Sequence, residues 1–316
     1  MDHQQQLRER TRRKRMRDRY RRKRRLLLCK AGAAALLLLL LLLLLLLLSS
    51  HSGNHPQPSP STSVPVTASP SPTATPLPPE LLPQPQDDET TLALRSLAAE
   101  LPAARVLLRA PENYTPDLLA LAAENPELLD YVLAYPEKKD AVFSIDLSQE
   151  AQSEEIPLLL QWDERWGYQP YGSGLLGYTG CAPTCLSMVL LHLTGNPQWD
   201  PGTVARFAEE EGYYVPGEGT LWSFMAEGSK AFGLEAEELP LVKKRIERAL
   251  EEGRPVVCVV GPGDFTRNGH YLLLTGCGEQ GFTLHDPNSP QKSGQVWSYD
   301  ILAPQITNLW AFSRAE

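Results

Sequence analysis

The sequence predicts an α+β fold in which helices come first and an antiparallel sheet follows, behind one N-terminal membrane helix. Three observations predict it. Residues 89–140 and 181–252 carry apolar residues at helical spacing. The last third holds the apolar runs Val256–Val260, Gly269–Gly276 and Gly281–Pro287, each bounded by glycine or proline, as strands are. Residues 31–48 contain no charge and include 13 consecutive leucines.

The chain opens on a basic tail, 1–30, with 14 Lys and Arg against 3 Asp and Glu, a net charge of +11. Since the whole 316-residue chain is at −8, residues 31–316 sum to −19. An acidic remainder offers no footprint for nucleic acid, and that partner class is excluded for the folded part. The tail is read instead with its neighbour. An apolar helix over 31–48 would span roughly 27 Å, about the hydrocarbon thickness of a bilayer. Each central leucine favours insertion by about 0.3–0.6 kcal/mol. The positive-inside rule keeps the arginines in the cytoplasm and sends everything after Ser49 outside. Ser49-Ser50-His51-Ser52-Gly53 is a poor cleavage site, so the expectation is an uncleaved single-pass anchor. Cys29, at the inner interface, is read as an idle cysteine.

Residues 49–88 form a low-complexity stretch with 11 prolines between Pro56 and Pro85 among Ser, Thr, Gln and Ala. Such a segment cannot bury a core and is expected to be an extended stalk, long enough to hold the next unit up to ~100 Å from the membrane. Residues 89–156 follow as a helical segment. Thr115-Pro116-Asp117 and Asn125-Pro126-Glu127 are both cap-then-proline starts, and the second helix is expected to end at Tyr135-Pro136. No catalytic constellation lies there; an inhibitory, docking or structural role is left open.

From residue 157 to 316 the character is mixed. A glycine-rich, flexible run, Tyr171 to Gly180, leads into Gly180-Cys181-Ala182-Pro183-Thr184-Cys185 and an apolar helix closed by Gly195-Asn196-Pro197. Met188, Leu190, Leu191 and Leu193 supply a packing face. Cys181 therefore falls at the start of a helix, where unpaired backbone N–H groups and the helix dipole favour a thiolate and can hold an oxyanion. Thr203–Glu211, Thr220–Phe232 and Leu241–Glu252 read as further helices. His270 opens the second strand and Asp286 ends the third, so a hairpin would make them neighbours at one sheet edge. An imidazole fixed by a carboxylate can exchange a proton with a thiol. Cys185, Cys258 and Cys277 read as packing residues, and His192 and His285 as side positions. Asn288 is the alternative orienting group. The five cysteines have no paired spacing, so neither a zinc site nor a disulfide framework is indicated.

Gln161-Trp162-Asp163-x-x-Trp166, Gly180-Cys181-x-Pro183-Thr184, Gly269-His270-Tyr271 and Asp286-Pro287 together resemble the papain-like cysteine peptidases of family C39, in its stand-alone bacterial branch. The resemblance covers about residues 157–314. It implies a two-lobe fold, a helical lobe with the cysteine and a sheet lobe with histidine and aspartate, and peptide-bond hydrolysis without metal or organic cofactor. It makes Cys181 the nucleophile, His270 the base and then acid, Asp286 the orienting carboxylate, and Gln161 the oxyanion donor. Gln161 lies 20 positions before Cys181, further than in many relatives, so the intervening loop must fold back. Ala182 stands where glycine is usual. The implied partners are a peptide or protein substrate, the membrane and a cell-wall layer, with the oligomeric state undefined. A binding module that keeps only the cleft, and an amidase or transamidase with the same residues, are the competing functions.

Overall fold

The computed structural model describes residues 81–316. The basic tail, the membrane helix expected over 31–48 and the stalk as far as residue 80 lie outside the described residues. Among the described residues no helix is long and apolar enough to cross a membrane.

The N-terminal unit is built from α1 (Glu89–Glu100), α2 (Arg105–Arg109), α3 (Pro116–Glu124) and α4 (Leu129–Lys138). Its starts are set locally. Asp88 caps α1 through Thr91 N–H, Thr115 caps α3 through Leu118 N–H, and Asn125 caps a 3-10 turn, Pro126–Leu128, through Glu127 N–H. The helices close on a small core of Leu94, Leu97, Leu107, Leu118, Leu128 and Val132. Packing begins before residue 89: Leu81 is buried in this core, and Asp87 pairs with Arg95. Helix α4 runs on through Pro136 to Lys138 instead of ending there. Proline removes one N–H only, and the Lys139 N–H still closes on Tyr135 O.

The run expected to be flexible, 171–180, is folded. Strands β1 (Pro170–Tyr171) and β2 (Gly174–Leu175) make a hairpin, and a helical turn, Leu176–Thr179, follows. Helix α5 (Cys181–Thr194) comes next, closed by Gly195 in the left-handed region at φ 66°. Residues 182–191 of α5 are all buried, so it packs on every side rather than on one face. Helix α6 (Pro201–Glu210), a second small hairpin, β3 (Tyr214–Val215) with β4 (Gly219–Thr220), and two short helical pieces complete this lobe. The helix expected over Thr220–Phe232 is broken into Ser223–Ala226 and Gly228–Phe232. At Gly228 a side chain would collide with the Phe224 ring, its Cβ only 2.7 Å away.

The second lobe is a six-stranded antiparallel sheet. Its strands are β5 (Leu234–Glu238), β6 (Val256–Val260), β7 (His270–Gly278), β8 (Gly281–His285), β9 (Val296–Trp297) and β10 (Ile306–Arg314), ordered β5-β10-β6-β7-β8-β9. Alternation sorts its side chains. Val257, Val259, Tyr271, Leu273, Trp310 and Phe312 face the core shared with α5. Val256, Cys258, Val260, Leu272 and Leu274 face a second core with Ile246 and Ala249 of α7 (Lys243–Glu251). A central strand covered on both faces has no polar side, which is why β6 reads as an unbroken apolar run. Strands β5 and β10 were not expected. The edge strand β5 is mostly acidic, and β10 shows its partners only when the chain returns between β5 and β6.

Candidate active site

Cys181 is the first residue of α5, half-buried, and its approach is dictated by Gly180. A Cβ at Gly180 would lie 2.5 Å from Leu176 O and 2.7 Å from Leu176 Cγ, so only glycine lets the preceding turn fold onto the helix start. The first intrahelical bond runs from Thr184 N–H to Gly180 O, and Pro183 has no N–H. The N–H groups of Cys181 and Ala182 are left at the helix start without intrahelical acceptors.

His270 opens β7 opposite Val260. Its Nε2 donates to Asp286 Oδ1 at 2.7 Å, with the histidine 7% and the aspartate 1% exposed. Cys181 is close enough to act on the ring, and counts after Asp286 among the influences that keep it charged. Asp286 follows His285, which pairs with Leu273, so its carboxylate reaches diagonally along β7 rather than straight across. Burial works against a charged imidazole here. The Asp286 carboxylate, joined by Cys181, outweighs it and pushes His270 up to about 10. Asp286 Oδ1 also accepts from Asn288 N–H at 2.8 Å, and Ser293 Oγ accepts from Asp286 N–H at 2.9 Å.

Gln161 is 2% exposed. Its Nε2 donates to Gly177 O at 3.0 Å, four residues before Cys181, and its N–H donates to Pro287 O at 2.8 Å, one residue after Asp286. The 19 intervening residues close because the β1–β2 hairpin doubles back. Leu176 N–H reaches Gln169 O at 2.9 Å and Gly177 N–H reaches Gly167 O at 2.8 Å. The structure thus pairs His270 with Asp286 and ties Gln161 to the turn before Cys181 and to the residue after Asp286.

The other cysteines and histidines lie elsewhere. Cys185 is wholly buried one turn into α5, and burial pushes its thiol well up. Burial pushes Cys258 up to about 12 and raises Cys277 as well. His192 and His285, both pushed down by burial, line a separate cavity of about 440 Å³ that none of the four residues borders. Asn288 meets Asp286 through its backbone, and its carbonyl accepts from Trp162 Nε1–H and from Asn125 Nδ2–H, each at 3.2 Å. Among the described residues, no group of three or more His, Cys, Asp or Glu converges as for a metal ion.

One neighbour carried no signal in the sequence. Tyr171, fully buried, donates to or accepts from Thr220 Oγ1 at 2.7 Å. Its phenol is raised by burial first and by Cys181 among nearby charges, which places it in the electrostatic reach of the thiol.

A half-buried thiol at a helix start, a buried His–Asp pair and a glutamine bonded to the preceding turn form the layout of a thiol hydrolase. The model of the Peptidase_C39 like family matches residues 153–314. This chain belongs to that family. Two solved structures share similarity with the C39-like domain. The peptidase domain of Streptococcus ComA, a bi-functional ABC transporter involved in a quorum-sensing pathway, is 18% identical with a TM-score of 0.37, covering 51% of this chain and 100% of its own. A C39-like peptidase from Bacillus anthracis is 18% identical with a TM-score of 0.29, covering 54% of this chain and 98% of its own. No curated protein matches the chain.

Proposed function

We propose that the protein is a membrane-anchored, extracytoplasmic cysteine peptidase whose C39-like domain hydrolyses peptide bonds through Cys181, His270, Asp286 and Gln161. The observation that carries this reading is the buried His270–Asp286 pair beside a helix-start thiol. A buried carboxylate holds one ring nitrogen at 2.7 Å, and Cys181 acts with it to keep the ring charged. A ring that stays protonated to about pH 10 is a standing counter-charge for a thiolate.

The thiolate attacks the scissile carbonyl, and the negative oxygen is received by the Cys181 N–H and the second hydrogen on Gln161 Nε2. His270 gives its proton to the departing amine, leaving a Cys181 thioester. Water then attacks the thioester with neutral His270 as base. The acid is released, the sulfur leaves as thiolate beside the ring that now holds the proton taken from water, and the cycle closes with His270 still oriented by Asp286. The arginine block, the leucine run and the proline-rich stalk support the anchored, outward-facing placement.

The test is iodoacetamide alkylation of the full chain between pH 5 and 9, with the labelled residue mapped by mass spectrometry. Rapid labelling of Cys181 below pH 7, lost in His270→Ala, is expected. Labelling only near pH 8.5, where an ordinary thiol ionises, or at Cys185, overturns the assignment. Protease accessibility of the domain on intact cells tests its side of the membrane.

A further inference from the structure

We propose that Asn125 and Glu127 of the N-terminal helical unit are positioning residues for Asp286, so that this unit completes the site instead of covering it. The inference rests on the functional reading of Cys181, His270 and Asp286.

The loop after β8 is the only stretch that carries Asp286, and its own bonds are short-range. Ser293 Oγ ties back to Asp286 N–H and donates to Ser289 O at 2.8 Å, and Ser289 Oγ accepts from Lys292 N–H at 3.1 Å. Nothing in that set fixes the loop against the rest of the molecule. Gln161 N–H on Pro287 O and Trp162 Nε1–H on Asn288 O hold its first residues, and Asn125-Pro126-Glu127 holds Asn288 and the stretch beyond. Both oxygens of Glu127 are used on the loop: Oε1 accepts from Ser289 Oγ–H, and Oε2 accepts from Gln291 N–H at 3.0 Å. Asn125 is used at both ends. Its Oδ1 accepts from Glu127 N–H at 3.1 Å, and its Nδ2 donates to Asn288 O at 3.2 Å. Asn288 N–H is in turn the second donor to the Asp286 oxygen that holds His270.

The unit is also fastened to the other lobe. Tyr131 Oη–H donates to Gly167 O and Tyr168 Oη–H to Tyr131 O, each at 2.8 Å, with the two rings stacked at 4.6 Å. Tyr131 sits so close to Gly177 that a Cβ there would lie 2.3 Å from its hydroxyl. One body therefore touches the turn before Cys181 and the loop after His285. Ser289 and Asp286 are each 1% exposed, and the bonds from Asn125 to Asn288 and from Glu127 to Ser289 are part-buried, while that from Glu127 to Gln291 is exposed. Releasing the loop lets the carboxylate drift from the ring, and geometry of this kind is worth up to about a hundredfold in rate per ångström.

The experiment measures iodoacetamide alkylation of Cys181 against pH in the full chain carrying Asn125→Asp or Glu127→Gln. Asn125→Asp keeps the acceptor that caps Pro126–Leu128 but sets a carboxylate against the Asn288 carbonyl. Glu127→Gln keeps one acceptor of two. Asn125→Asp should slow labelling at pH 6 by about tenfold or more and shift the pH midpoint upward, with Glu127→Gln smaller in the same direction. Arg95→Ala, which breaks the Asp87 pair inside the unit, should lower the melting temperature without moving the midpoint. A merely structural role would give all three the same profile. Wild-type behaviour in both Asn125→Asp and Glu127→Gln overturns this proposal alone. An ordinary-thiol profile in the wild type overturns the functional reading, and this one with it.

Discussion

Replacing Asp286 by asparagine separates the charge of the orienting group from its shape. The amide oxygen can still accept from His270 Nε2–H and from Asn288 N–H, so the ring keeps its direction. The charge is gone, and burial, the largest single influence on this ring, is then opposed by Cys181 without the carboxylate. His270 should fall well below about 10, each unit of that fall being worth about 1.4 kcal/mol between its two protonation states. Each unit by which the ring falls makes the thiolate–imidazolium pair about tenfold less favoured. Alkylation of Cys181 at pH 6–7 should therefore drop by about two orders of magnitude and recover as the pH rises. Stability follows the same sign. The folded value lies above the unfolded one, so the pair's contribution is full below pH 6.5 and is lost as pH rises through about 10. The gap between wild type and variant in a denaturant titration should be widest near pH 6 and narrow towards pH 10. A remainder of about 1–3 kcal/mol should persist, because Asp286 Oδ2 has no partner and the new Nδ2 would be orphaned there. A variant labelled at pH 7 within threefold of the wild-type rate would refute the ion-pair account.

Three further outcomes follow from the same geometry. Cys181→Ser should abolish turnover of any peptide substrate, whereas Cys185→Ala should leave turnover unchanged and cost about 1–2 kcal/mol in a urea melt, as a small core deletion does. Gln161→Ala should lower kcat by about 10²–10³ with little change in KM, the signature of a lost oxyanion donor in steady-state kinetics. Gly180→Ala should destabilise the fold and slow Cys181 labelling together, because its Cβ meets the Leu176 carbonyl at 2.5 Å and the helix start must move. Wild-type labelling in that variant would show that the turn before α5 does not set the thiol.

How far the sequence disclosed this site depended on the range of each interaction. Helix α5 was legible because glycine stands at both ends and the apolar run lies between. His270 and Asp286 were legible because β7 and β8 form a local hairpin of 16 residues, although the pair closes diagonally. Gln161 came from the family resemblance alone, since its bond to Gly177 depends on a hairpin whose strands are two residues each. Strands β5 and β10 were illegible for the opposite reason. They pair with each other across 72–80 positions, and β5 has no apolar alternation to announce it. Asn125 and Glu127 read as a helix start because Asn-Pro-Glu is one. The same two side chains also hold a loop 162–164 residues away, and no local pattern encodes that second use.

The division of exposure within the site bears on how such a residue set could work. Gln161, His270 and Asp286 are 2%, 7% and 1% exposed, while Cys181 is half-buried. Water and substrate can therefore meet the sulfur without reaching the pair that charges it. Inside a dry environment the His270–Asp286 attraction is stronger than in solvent, and the bond that delivers it cannot be exchanged for water. The same sealing makes the arrangement brittle. Asp286 Oδ1 takes two donors, Gln161 N–H holds Pro287 beside it, and Asn288 behind it is fixed from residue 125. A loop held from three directions has no slack to absorb a lost partner, so substitutions around Asp286 should appear as shifts in the pH at which Cys181 reacts before they appear as loss of fold.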